Sequence, residues 1–193
     1  MSANFNSIFK DVTKLLNEKL PVYLTYHNTA HTLYVLKKAI HIAEKEKVSQ
    51  ADLKLIKIAA LYHDIGFTVT PKEHEKESCK IAKKQLKKYQ YSDNDIDIIC
   101  GMIMATKIPQ NPQNLLEQVL ADADLEYLAT SQFSLKANNL YKELRYFNPK
   151  LSINEWNSIQ LKFINNHQYH TKYSKHYKTF RKLNNVVQLK KIV

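Results

Sequence analysis

Four side chains in this sequence have the types and spacing to work on one metal ion: His31, the adjacent pair His63 and Asp64, and Asp122. Imidazole nitrogen with carboxylate oxygen suits Mn, Fe, Co, Ni or Zn, and carboxylate with water also suits Mg. Four such ligands would leave two neighbouring positions of an octahedron open for water and substrate, whereas a structural zinc site is closed and tetrahedral. Without a shared ion, each group needs its own buried partner. An unpartnered imidazole costs about 1–3 kcal/mol to bury and an aspartate several. A His-Asp dipeptide alone is weak evidence, since the chain has 8 histidines and many acidic residues to pair with them; its context decides.

That context is helical. Two glycines and five prolines in 193 residues leave little turn chemistry, and no segment sustains period-two alternation. Phe5, Ile8, Phe9, Val12, Leu15 and Leu16 trace the apolar face of a first helix that stops before Pro21. Asn28 caps a second, to about Lys47, with His31, Val35, Ala39 and Ile42 on its inner stripe. Ser49 opens a third, with Leu53, Ile56, Ala60 and His63 inward and Gly66 as its end. Adjacent helical residues diverge by about 100°, so His63 and Asp64 cannot line the same wall, and something should sit between them.

A fourth helix spans about Glu73 to Tyr89 and a fifth follows Ser92, before Pro109 and Pro112 break the chain. A sixth, Asn114 to about Ala129, places Leu115, Val119, Asp122 and Leu125 or Glu126 on one inner stripe. Asp124, some 200° round that helix from Asp122, reads as a carboxylate at the surface or behind the ligands. Further helices cover Ser134–Tyr146, then Ser152 (with Glu155 as a capping box) through His167, then Ser174–Leu189. His167 and His170, three apart on the eighth helix, read as packed histidines. The expectation is an all-α, compact bundle of eight to nine helices, one domain over 1–193, with its core at about 22–128 and helices 134–190 packed on it.

Composition excludes other classes. The 44% hydrophobic and 24% charged content is that of a globular protein. No apolar run approaches membrane length and the amino end lacks a secretion signal, so the expected location is cytoplasmic. Cys79 and Cys100 fit neither a disulfide framework nor a zinc knuckle. The formal charge of +11 raises nucleic acid as a partner. However, 27 of the 29 basic residues are lysines strewn as pairs along helices, which suits phosphate anions of any size better than base reading.

The histidines and aspartates lie in YHNTAH, AALYHDIGF and ADADLEYL, in that order. With them the chain resembles the HD-domain metal-dependent phosphohydrolases, helical enzymes that include cyclic nucleotide phosphodiesterases and many bacterial nucleotide hydrolases. The resemblance covers most of residues 22 to 128, and LKFINNHQYHT looks like the tail of a small stand-alone bacterial subgroup. It implies His31, His63, Asp64 and Asp122 as ligands of one or two divalent ions (Mn, Mg, Fe, Co, Ni or Zn), with Asp64 also able to bridge to a second. It further implies His27 as a general acid, and His74 as a contact to a second metal or the substrate phosphate. Lys107 is a further phosphate contact by the same resemblance, although relatives often carry a histidine after this motif that is absent here.

The implied reaction is hydrolysis of a phosphoester, on a nucleotide or related small phosphorylated metabolite, by a metal-activated water with Asp64 and His27 as catalytic residues. Two other readings stay open. One is a di-iron oxygenase of the same fold, with His27, His74 and His167 as extra ligands; the other is a non-catalytic module that binds a nucleotide or nucleic acid.

Overall fold

In the computed structural model, which describes residues 5–191, the chain forms nine α-helices and two short 3-10 turns and, among those residues, no strand. The helices are α1 (Phe5–Lys19), α2 (Thr29–Lys45), α3 (Gln50–Tyr62), α4 (His74–Lys88), α5 (Asp93–Ala105), α6 (Leu115–Asp124), α7 (Phe133–Phe147), α8 (Ile153–Asn166) and α9 (Lys172–Lys190). The expected all-α helical bundle is therefore what the sequence forms. Among the described residues no helix is long and apolar enough to cross a membrane.

The helix starts follow from their caps. Asn28, Ser49, Ser92, Asn114 and Thr171 each accept a hydrogen bond from a backbone N–H of the first turn, and Ser152 with Glu155 completes a capping box. Each cap contributes about 1 kcal/mol and fixes where its helix begins. One apolar cluster, with Val35, Ala39, Ile42, Ile56, Ala60, Ile103 and Val119 at its centre, is shared by α2, α3, α5 and α6. A second joins Tyr26, Leu125, Leu128, Phe133, Trp156 and Val186, and so binds α7, α8 and α9 to the turn after α6. Glu126, 1% exposed in that turn, is met by Lys38 at 3.1 Å and by Lys178 and Tyr34, so its buried charge is paired from both α2 and α9.

Two helices end earlier than their periodicity suggests, and both ends shape the site. α3 stops at Tyr62, and residues Ile65–Thr68 make a 3-10 turn. Gly66 is thus not a helix terminator. It lets two backbones touch: a Cβ there would lie 2.0 Å from the His74 carbonyl oxygen. The Ser78 hydroxyl locks the approach, donating to the His63 carbonyl and accepting from the Gly66 N–H, both at 2.8 Å. Gly66→Ala should therefore lower unfolding stability by about 3 kcal/mol, as overpacking does, read as a fall in thermal midpoint. An unchanged midpoint would show that the two segments can part without cost. Likewise α6 stops at Asp124, and Glu126–Ala129 turns away as a 3-10 segment.

Candidate metal centre

Three helix ends converge on one point. His31 projects inward from the first turn of α2, His63 follows the last residue of α3, and Asp124 closes α6. One donor atom from each lies within 4.8 Å of the other two. His31 Nε2 is 3.1 Å from Asp124 Oδ1 and 3.4 Å from His63 Nε2. Asp64 Oδ2 adds a fourth donor, 3.1 Å from His63 Nε2 and 3.3 Å from His31 Nε2.

These groups suit a cation better than they suit each other. His63 Nδ1–H donates to the Ala60 carbonyl at 2.9 Å, which leaves a lone pair on Nε2 aimed into the cluster, as in metal-ligating histidines. His31 Nδ1 is buried without a hydrogen-bond partner. Two imidazoles facing across 3.4 Å between two carboxylates satisfy one another only with extra protons or a shared ion.

The electrostatics agree. Burial disfavours charge on His31, yet hydrogen bonds to Asp124 and Asp64 outweigh it and raise the pKa from 6.5 to about 9. His63 also rises despite burial, through Asp64. Burial would push the Asp64 carboxyl up, but the His63 charge and hydrogen bonds from His31, His63 and His74 hold it well below the usual carboxylate range. Protons shared among these groups would offset their charges, and an ion bound there would displace those protons. Because the folded pKa of His31 lies above its unfolded value, its stabilisation is complete below about pH 6.5 and is lost as pH rises through about 9. The thermal midpoint of chelator-treated protein should fall over that window, while manganese affinity rises. A midpoint flat across it would mean that His31 carries no proton there.

Asp122 is the correction. The structure does not bring it to the histidines: its carboxylate accepts from the backbone N–H groups of His170 and Thr171, at 2.8 and 2.9 Å, and from the Thr171 hydroxyl at 2.7 Å. It is fully buried, as its stripe requires, but against the start of α9. The opposite face of α6 lies on α2 and α3, and there Asp124 meets His31. Both faces of α6 are covered, so an inward stripe does not by itself identify the ligand. The C-terminal histidines differ as well: α8 ends at Asn166, which puts His167 at its cap and His170 in the connection to α9, so the two do not share a helix.

Around the cluster lies a cavity of about 280 Å³ whose walls include His27, Asp64, His74, Asp124, Tyr127 and Trp156. His74 Nε2 is 3.4 Å from Asp64 Oδ1, the oxygen turned away from His31 and His63. The Phe67 ring stacks against both His27 and His74, at centroid distances of 4.3 and 4.0 Å. Lys107 pairs instead with Glu73 at 2.5 Å and is not among the cavity walls. His27 has a partner that its sequence neighbourhood does not disclose. Its Nδ1 is 2.5 Å from Glu143 Oε1, and Glu143 Oε2 accepts from the backbone N–H groups of Tyr26 and His27, at 2.9 and 3.0 Å. Glu143 sits on α7, 116 residues away and 2% exposed.

Residues 29–126 match the sequence profile of the HD domain family, a span holding His31, His63, Asp64 and Asp124. Solved structures with the same fold include a Lactobacillus plantarum protein, 18% identical, TM-score 0.67, with 98% of this chain and 97% of that one covered. A predicted HD superfamily hydrolase from an uncultured Thermotogales bacterium is 19% identical, TM-score 0.63, with 95% and 90% covered. Bacillus subtilis YpgQ in complex with ADP is 20% identical, TM-score 0.62, with 97% and 94% covered. No curated protein matches the sequence.

Proposed function

The chain belongs to the HD-domain family, and from that premise we propose that it is a metal-dependent phosphohydrolase acting on a nucleotide or a related small phosphorylated metabolite. The observation that carries the reading is the meeting of donor atoms from His31, His63 and Asp124 within 4.8 Å, with Asp64 beside them at the cavity wall. His31, His63, Asp64 and Asp124 would hold the ion. Once bound, it would supply Lewis acidity, lowering the pKa of water from about 15.7 toward 7 and offsetting charge on a phosphoryl oxygen.

The protein's own groups do the rest. Asp64, with its second oxygen toward His74, has the reach to serve a second ion or to steer the water. His27 lines the cavity with Nδ1 committed to Glu143, which leaves Nε2 to protonate the departing oxygen. His74 offers a cationic contact for phosphate. Tyr26 and Tyr127 close the inner wall and keep bulk water from the reacting centre. YpgQ, which shares this fold, is found with ADP, and that supports a nucleotide as the substrate class. The lysine-rich surface would draw anionic substrates toward the cleft, so the rate at low substrate should fall with salt.

The test is metal content in protein purified without chelator, followed by a panel of nucleotides and simpler phosphoesters with Mn, Mg, Co or Ni added singly. Hydrolysis dependent on one of these ions is expected. An ion-free protein that cleaves none of them would overturn the reading, and oxygen uptake with iron in place of hydrolysis would favour the di-iron alternative.

A further inference from the structure

Cys79 and Cys100 stand 21 residues apart in the chain, on α4 and α5, and neither belongs to the metal centre or to the walls of its cavity. The short link from Tyr89 to Ser92 folds these two helices back on each other, which brings the sulfurs to the same height. The Cys79 thiol donates to the Cys100 carbonyl at 3.5 Å, and the Cys100 thiol to the Cys79 carbonyl at 3.8 Å. A disulfide needs Cα atoms about 4.4–6.8 Å apart and side chains that face each other. The reciprocal contacts show each sulfur already against the other residue's backbone, so rotation of the two side chains can make the bond while the helices stay in place.

Position and charge favour reaction at this pair. Cys79 is half-buried at the edge of the larger apolar cluster, where a small reagent reaches it, and Cys100 is buried beside it. The Lys83 ammonium, one turn after Cys79, pairs with Asp97 on α5 at 3.3 Å and sets a positive charge near both sulfurs. The Cys79 thiol as a hydrogen-bond donor, helped by that charge, lowers the Cys100 pKa from its ordinary value against burial and the Asp97 carboxylate. A thiolate is the species that attacks a disulfide.

We propose that Cys79 and Cys100 form a reversible dithiol–disulfide site, oxidised by small-molecule disulfides, that clamps α4 to α5. One thiolate of the pair attacks a sulfur of the incoming disulfide and releases one small thiol. The second attacks the mixed disulfide so formed, which closes the intramolecular S–S bond and releases the other small thiol. The protein gives up two protons and two electrons, and the reagent takes them up as it is reduced to two thiols. The effect of the clamp lies at the helix ends: α4 begins with His74 and Glu75, and α5 leads into Thr106 and Ile108, all four in the walls of the metal-centre cavity. Oxidation would fix the spacing of that side of the cavity without changing any group in it. The chemistry needs neither metal nor phosphoester, so it stands apart from the phosphohydrolase reading.

The test is equilibration of the whole chain with oxidised and reduced glutathione in varied ratio, then acid quenching, alkylation of free thiols and intact mass. In excess oxidised glutathione the folded protein should lose the mass of two hydrogens, take up no alkylating agent and form no link between chains; reduced glutathione should restore both thiols. A bond that closes a loop of this length constrains the unfolded chain, so oxidation should raise the unfolding midpoint by several degrees. Cys79→Ser and Cys100→Ser should each abolish the mass loss and the rise, and if the buried substitution fails to fold, Cys79→Ser decides. Thiols that stay free, a glutathione adduct that persists on one of them, or a bond between two chains would overturn the site. A midpoint that does not rise would show that the helices must shift to make the bond, and would overturn the clamp.

Discussion

Replacing Asp124 with Ala should weaken manganese binding by more than about a hundredfold and slow hydrolysis by about 10³-fold, while Asp122→Asn should leave metal bound and lower stability instead. Loss of a group that merely orients a ligand costs about 10–100-fold in affinity, and a ligand should exceed that. Its removal also takes away part of several kcal/mol of transition-state stabilisation, at 1.36 kcal/mol for each tenfold in rate. Asp124 Oδ1 lies 3.1 Å from His31 Nε2 and 3.7 Å from His63 Nε2, with no covering helix between them. Asp122 accepts three hydrogen bonds at the entry to α9. An amide in its place can keep one or two of them, so the expected cost is about 2–3 kcal/mol, seen as a lower unfolding midpoint. Equilibrium dialysis with manganese and thermal melts on both variants decide the matter. If folded Asp122→Asn loses the ion while Asp124→Ala retains it, the ligand assignment is reversed.

Glu143→Gln should slow hydrolysis of substrates with poor leaving groups by about 10²-fold and barely affect a nitrophenyl ester, whose leaving group needs no proton. A positioned acid contributes about 10²–10⁴ in rate, and the effect grows with the basicity of the departing oxygen. Burial would raise the Glu143 pKa, but hydrogen bonds and charge from His27, with the backbone N–H groups of His27 and Tyr26, lower it below 4.5. The group is therefore ionised throughout the range in which a histidine donates a proton. An amide can still accept from Nδ1 but cannot stabilise an imidazolium, so orientation survives while acid strength is mismatched. Rates across a leaving-group series test this directly. Equal losses on good and poor leaving groups would assign Glu143 to packing and remove His27 from proton transfer.

Much of this was legible in the sequence because the relevant signals are local. Asn28, Ser49 and the Ser152–Glu155 box announce their helices, and the apolar stripes place His31 and His63 on inner faces. What failed did so for identifiable reasons. Periodicity assumes one buried face, and α6 has two, so Asp122 satisfied the stripe while Asp124, on the opposite face, met the histidines. Gly66 reads as a stop signal in one dimension, yet its role depends on the His74 carbonyl that arrives from α4. Glu143 gave no signal, since an isolated acid on an amphipathic helix resembles any solvated one and its partner is 116 positions away.

The two-sided burial of α6 also joins parts of the chain that look independent. One short rod of ten residues meets the histidine cluster through one carboxylate and the start of the C-terminal helix through another. On the proposed reading the C-terminal helix braces the candidate metal centre through Asp122, and loosening it should lower turnover without touching the histidine cluster.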